Sequence, residues 1–322
     1  MPVAHLELGK QDLAENKTSV IFFLGSHTPD FVKIFKEYVE KNTPNVIVLE
    51  HPNNEKFNHM IEGKITVAEY MKIEGRNYLS PNSSRRKFEF LREMHKRGAR
   101  IETLTSESLA EGNVSLKLSK DAALEELSSS LQNGDFNRAV RSSLNFLEVF
   151  GAEAKLRDQW RAQEIAEKVR SGEWKGNILI EAGAIHTQAK NILIDELKGM
   201  DNVSVSSVYS FREIASRVFN GSISEVYPPG DELTRIHAYE ATKRTTMDEE
   251  KEKLLGARSI IHFLMTKSLV SEAGIETEYI ATKLVNQLSY GECETLFHKV
   301  QKMDQESAYK FVEDYLRKRD KK

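Results

Sequence analysis

The sequence predicts an α/β protein, with a mainly parallel sheet flanked by helices on both faces and an added all-helical region at the C-terminus. Three observations carry this. Short continuous apolar runs, VIFFLG, VIVL and ILIEAG, have the length and branched content of strands buried on both faces. Segments of helical periodicity separate them, the alternation expected of a sheet covered by helices. After Tyr227-Pro228-Pro229-Gly230-Asp231 the strand pattern ceases and only helical pattern remains.

The first strand spans Thr18–Gly25 and the second residues 45–50. Between them Phe31, Ile34, Phe35, Tyr38 and Val39 recur at helical spacing, with Pro29 suited to a first turn and Pro44 helping to end the segment. Strand, helix, strand over this length reads as a βαβ unit with a right-handed crossover. Residues 61–97 read as mostly helical, with a break at Ser80-Pro81-Asn82 and a stop at Gly98, and residues 99–105 as a third strand. Residues 120–171 are helical with an interruption at Asn133-Gly134. Leu156, Trp160, Gln163, Ile165 and Val169 mark the last helix of that stretch. A strand over Asn177–Gly183, a helix over residues 189–197 and a strand over Val203–Tyr209 complete the α/β part. Two prolines and a glycine at 228–230 then mark a boundary. It divides the chain into an α/β domain over 1–226 and a helical domain over 227–322, the latter with capping boxes at Thr246/Glu249 and Ser289/Glu292 and a cap at Asp304.

At 322 residues, with 39% hydrophobic and 30% charged content, the chain is long enough for one large or two ordinary domains. A net charge of -3 gives no reason to expect nucleic acid. The cluster Arg85, Arg86 and Lys87 reads as a solvated helix face. A single cysteine, Cys293, excludes an internal disulfide and a cysteine-based zinc cluster and fits a reducing compartment. The start, MPVAHLELGKQDLAENK, has no apolar core of signal-peptide length, and the most apolar run, residues 20–24, is too short to cross a bilayer. The expectation is a cytoplasmic protein without membrane or nucleic-acid partners.

Several residues able to handle protons or metals stand where apolar runs stop. His27 follows the first strand in Gly25-Ser26-His27-Thr28, and Glu50 terminates VIVLE. His186 follows ILIEAGAI. Ligands of open parallel sheets bind outside the carboxyl ends of the strands, so these side chains share the rim where a site is expected. Two of them have a structural alternative: a turn histidine for His27, and a cap or surface ion pair for Glu50. His51 is adjacent to Glu50 and, by strand alternation, faces the other way. Glu181 is a carboxylate inside an apolar strand and must be protonated, paired or metal-bound if buried, with Arg157 the partner in the ion-pair alternative. Gly183 and Ala184 leave room before His186. His27, Glu50, Glu181 and His186 would make a ligand set of imidazoles and carboxylates for Zn²⁺, Mn²⁺ or a similar divalent ion with a water attached. Without metal, one imidazole would serve as general base. His237, His262 and His298 have no ligand spacing and read as structural or surface residues.

Three segments together resemble the TraB/PrgY family and its wider relatives, the Tiki-type metalloproteases, erythromycin esterase-like hydrolases and ChaN-like haem-binding proteins. SVIFFLGSHT followed by a helix and PNVIVLE is similar to the family's strand, Gly-x-x-His, helix, Pro-Asp-x-Val-x-x-Glu arrangement. Leu156-Arg157-Asp158-Gln159-Trp160 resembles its Arg-Asp/Asn-x-x-Met/Trp helix, and IEAGAIHT its Val-Gly-Ala-Gly-His strand end. Two departures stand out: Gly25-Ser26-His27 is one residue shorter, and Ile185 replaces glycine. The resemblance covers residues 18–209 and implies that His27, Glu50, Arg157 and His186 occupy site positions; Glu181 has no counterpart in it.

Residues and resemblance together lead to an expectation of ester or amide hydrolysis by water activated by a metal or a histidine, with Arg157 holding an anionic substrate group or orienting Glu50. The substrate would be a small molecule or peptide. A non-catalytic regulatory protein holding a small molecule, haem or peptide in the old pocket is the alternative. An apolar stripe with Phe311, Tyr315 and Leu316 is the candidate for homo-oligomerisation, with packing within the chain as its competitor.

Overall fold

The computed structural model describes residues 17–25, 29–75, 81–105, 113–210, 227–239, 248–266 and 275–321. Five parallel strands form one sheet in the order β3-β2-β4-β1-β5. They are β1 (Thr18–Gly25), β2 (Val46–Leu49), β3 (Arg100–Thr103), β4 (Asn177–Gly183) and β5 (Val203–Tyr209). The first two strands are parallel, as expected of a crossover through helix α1 (Pro29–Asn42), yet β4 lies between them. The connection leaving β1 therefore runs one way along the sheet and that leaving β4 the other. Such a divergence between neighbouring strands is where open sheets place ligands.

Alternation along the strands sorts residues between two faces. Val20, Phe22, Leu24, Val46, Val48, Ile178, Ile180 and Ala182 form one buried cluster with Ala162, Ile165, Ala166 and Val169 of helix α6 (Phe136–Arg170). Ala189 and Leu193 of helix α7 (Ala189–Glu196) join it. On the opposite face Phe23 meets Phe31, Phe35 and Tyr38 with ring centroids 5.1–5.5 Å apart. Full burial of each large side chain contributes about 1.5–3 kcal/mol, so these layers hold the strand ends in place. A side chain on Gly25 would collide with the Phe31 ring, its Cβ only 1.7 Å from the nearest ring atom, which explains a glycine at the last position of β1.

The stretch expected to be helical from 61 to 97 with a break at Ser80-Pro81-Asn82 is divided into α2 (Glu55–Glu62), α3 (Val67–Glu74) and α4 (Pro81–Lys96), with residues 76–80 outside the described set. Gly63, at φ +83°, closes α2 in the left-handed conformation that glycine adopts without strain, and Thr66 with Glu69 opens α3 by a capping box. Both signals are in the sequence, where continuous apolar periodicity outweighs them. Helix α5 (Val114–Asn133) starts earlier than expected because Asn113 caps it through the Leu116 N–H.

The chain resolves into two compact units. The first holds the described parts of 1–26, 31–110 and 157–210, the second those of 27–30, 111–156 and 211–322. Residues 111–156, read from sequence as part of the α/β domain, cluster instead with the C-terminal helices. The reason is apolar: Phe136, Ala139 and Val140 share a buried cluster with Ile260, Ile261, Leu264, Leu296, Phe297, Val312 and Leu316. The helical unit also contains α8 (Pro229–Tyr239), α9 (Glu249–Thr266), α10 (Ile275–Val285), α11 (Tyr290–Val300) and α12 (Gln305–Arg319). The cap at Asp304 and the box at Ser289/Glu292 are formed, while Thr246 lies outside the described residues. Leu316 is buried, with Phe311 and Tyr315 packed against the same cluster, so the stripe considered for self-association is engaged within the unit. Among the described residues, no helix is long and apolar enough to cross a membrane.

Candidate functional site

Glu50 follows β2 directly and its carboxylate turns toward the face covered by α6. There Arg157, Asp158 and Arg161 project from three positions one helical turn apart or less. The Arg157 Nη2 donates to Glu50 Oε1 at 2.7 Å, and the Arg161 Nη2 lies 3.2 Å from the same oxygen. The other carboxylate oxygen accepts the backbone N–H of Gly183. A tight turn at the end of β4, closed by the His186 N–H on the Gly183 carbonyl at 3.0 Å, presents the imidazole beside it. His186 Nε2 stands 3.0 Å from Glu50 Oε1 and Nδ1 2.6 Å from Asp158 Oδ1. Asp158 Oδ2 accepts the Ala189 N–H at 3.2 Å, which ties the start of α7 to the same centre.

Both ring nitrogens of His186 thus face carboxylate oxygens, and each contact is satisfied only by an N–H, so the ring is held as imidazolium. Burial alone would lower its pKa, but Glu50 and Asp158 outweigh burial and the neighbouring Arg161 and raise it above the ordinary 6.5. For Glu50, burial is the largest influence and pushes the pKa up. His186, Arg161 and Arg157 together overcome it and hold the carboxyl well below the usual carboxylate range. Asp158, Arg161 and His186 are at most 1% exposed, whereas the side chains of Glu50 and Arg157 reach 12% and 20%. The outer pair faces the sheet's rim, and the inner three fix it. Among the described residues, three positive groups, Arg157, Arg161 and His186, meet two negative ones, Glu50 and Asp158.

Glu50, Arg157 and His186, all taken from sequence as site residues, come together at this rim; His27 lies outside the described residues. Glu181 does not join them. Its neighbours Ile180 and Ala182 face the α6 cluster, so Glu181 faces the aromatic side, where Lys87 Nζ of α4 meets its Oε1 at 2.7 Å. The pairing is with Lys87, not Arg157; Lys87 is half-buried, while Arg85 and Arg86 of the same cluster are exposed. His51 also faces away from Glu50, stacked on Phe57 at 4.4 Å and 3.0 Å from the Tyr70 hydroxyl through Nε2.

The donor set described does not fit a divalent ion. One Glu50 oxygen already meets three cationic groups within 3.2 Å, and both His186 nitrogens are engaged. A Zn²⁺ or Mn²⁺ placed there would sit against two guanidinium groups, and among the described residues no three His, Cys, Asp or Glu side chains are arranged to hold a metal.

Asp158 and Arg161 are the functional candidates that sequence reasoning missed. Their signal is positional: they continue the inward stripe of Ala162, Ile165, Ala166 and Val169, so two charges occupy core positions of an amphipathic helix.

No protein-family profile matches the chain, and no solved structure matches it. A protein of Archaeoglobus fulgidus described as uncharacterized is 24% identical over 271 residues, covering 79% of this chain and 90% of that protein.

Proposed function

We propose that the rim formed by Glu50 and Arg157 is a metal-independent binding site for a small molecule carrying an anionic group, with Asp158, Arg161 and His186 as its buried support. The observation that carries this reading is the complete engagement of His186, whose two nitrogens are held by Asp158 and Glu50. An imidazole held this way is neither an open metal ligand nor a resting general base. The partial exposure of the Arg157 guanidinium at the rim favours an anionic carboxylate or phosphate as the group recognised.

The experiment is a thermal-denaturation series with acetate and inorganic phosphate as probes, paired with elemental analysis of the purified protein. Stabilisation of the wild type, absent in Arg157→Met, together with no stoichiometric metal, is the expected result. One equivalent of a divalent metal that is lost in His186→Ala contradicts the reading.

Hydrolysis of an ester or amide is the second reading, favoured by the 2.6 Å contact of Asp158 with His186, which orients the ring as a proton-handling group. Substrate entry would have to displace Glu50 from Nε2; Glu50 would then take a proton from the water whose oxygen bonds to the carbonyl carbon, while the imidazolium gives its proton to the leaving oxygen or nitrogen as that bond breaks. Turnover of p-nitrophenyl acetate by the wild type but not by His186→Asn would select this reading over simple binding.

A further inference from the structure

A cavity of about 410 Å³ lies between the start of α3 and one face of α4, a volume within the range of small-molecule sites. Ala68, Glu89 and Lys96 of its lining are exposed, so it is open to solvent. On the α4 wall Arg92 is half-buried, its Nε is buried without an acceptor, and no ion pair engages its guanidinium among the described residues. Buried polar groups are rarely left unpaired, and the guanidinium brings further N–H donors to the cavity. Its position depends on Gly63, where a Cβ would stand 2.8 Å from the Arg92 Nη2. On the α3 wall the capping box satisfies the Thr66 and Glu69 N–H groups, at 2.7 and 3.1 Å. Those of Val67 and Ala68, also in the lining, have no partner among the described residues. Two carboxylates complete the lining. Glu89 meets Arg85 at 3.0 Å and Glu93 meets Arg97, each through one oxygen, so the second oxygen of each is left for another donor.

We propose that this cavity is a second recognition site, for a free α-amino acid. Its carboxylate accepts from the Val67 and Ala68 N–H groups and from Arg92, and its ammonium donates to Glu89 or Glu93. The mixed lining selects a molecule that carries both charges. A simple anion would face Glu89 and Glu93 as well as Arg92, and a simple cation would face Arg92 and Lys96. The site is separate from the Glu50 rim, since neither Glu50 nor Arg157 lines it.

The test is an amide ¹H–¹⁵N NMR titration of the full chain with L-leucine as the probe. Saturable shifts of the Val67 and Ala68 signals are expected in the wild type and in Arg157→Met. Arg92→Met is expected to weaken binding about tenfold, the loss of one charge-assisted hydrogen bond. N-acetyl-leucine, which lacks the ammonium, and leucinamide, which lacks the carboxylate, are expected to move neither signal. Unmoved signals with leucine, equal affinity in the wild type and Arg92→Met, or binding of either blocked compound as tight as that of leucine overturns the proposal. The comparison of the three compounds needs only the wild type, so it decides the matter should Arg92→Met fail to fold.

Discussion

His186 Nδ1 lies 2.6 Å from Asp158 Oδ1, and neither side chain is more than 1% exposed. An ion pair this deeply buried is stabilising only while complete, because removing one partner strands the other in a low-dielectric interior. Asp158→Asn leaves His186 and Arg161 without their inner carboxylate. The expected cost is about 3 kcal/mol in chemical denaturation of the α/β unit. A loss below about 0.5 kcal/mol, the range of surface substitutions, would mean that the contact does not support the site.

Arg157 should behave differently. Glu50 retains Arg161 and His186 when the outer guanidinium is removed, so Arg157→Met is expected to cost only about 1 kcal/mol. Stabilisation by acetate or phosphate should nonetheless disappear. The check is the melting temperature with and without each anion in both proteins.

The fold and half of this site were legible in the sequence because strand ends announce themselves. Apolar runs stopping at Glu50 and shortly before His186 placed two partners on one rim, and the resemblance added Arg157. Asp158 and Arg161 were harder to read because their meaning depends on which side of α6 faces the sheet, and that is settled by tertiary packing. Glu181 misled for a related reason: strand alternation separates it from its neighbours, and its partner Lys87 lies 94 positions away in a cluster that looks like surface charge.

Stability should fall as pH rises through the folded pKa of His186. The group is raised above its unfolded value, so its contribution is full below about pH 6.5 and is lost above the folded value. Replacing it by Asn should flatten that limb of the profile. Glu50, held low, contributes in the opposite sense: its share is present above its unfolded pKa and is lost as pH falls through the folded one. Denaturant melts of the wild type and His186→Asn across the acid and alkaline limbs measure this, and parallel profiles would sink it.

The helical unit carries a separate pH dependence. Burial, with Asp231 nearby, pushes the Glu278 carboxyl up to about 7, and its Oε2 has no hydrogen-bond partner among the described residues. A carboxyl with a raised folded pKa binds its proton more tightly when folded, so stability is lost as pH rises from its unfolded value toward 7. Glu278→Gln is therefore expected to stabilise the protein by about 1–3 kcal/mol near about pH 8 and to change little near about pH 4.5. His262, pushed down to about 4 by burial and 3.2 Å from the Thr282 hydroxyl, opposes this at the acid end, where stability falls below its unfolded pKa. Melting temperatures of the wild type and Glu278→Gln at the two pH values check the sign.

Whether His186 is an imidazolium clamped between Asp158 and Glu50 is decided by ¹⁵N NMR of the histidine ring near about pH 6.5. Two protonated ring nitrogens, both with slowly exchanging N–H protons and both unchanged by addition and removal of a chelator, are expected. A neutral ring with one unprotonated nitrogen, or a nitrogen shift that responds to metal or chelator, would rule the clamp out.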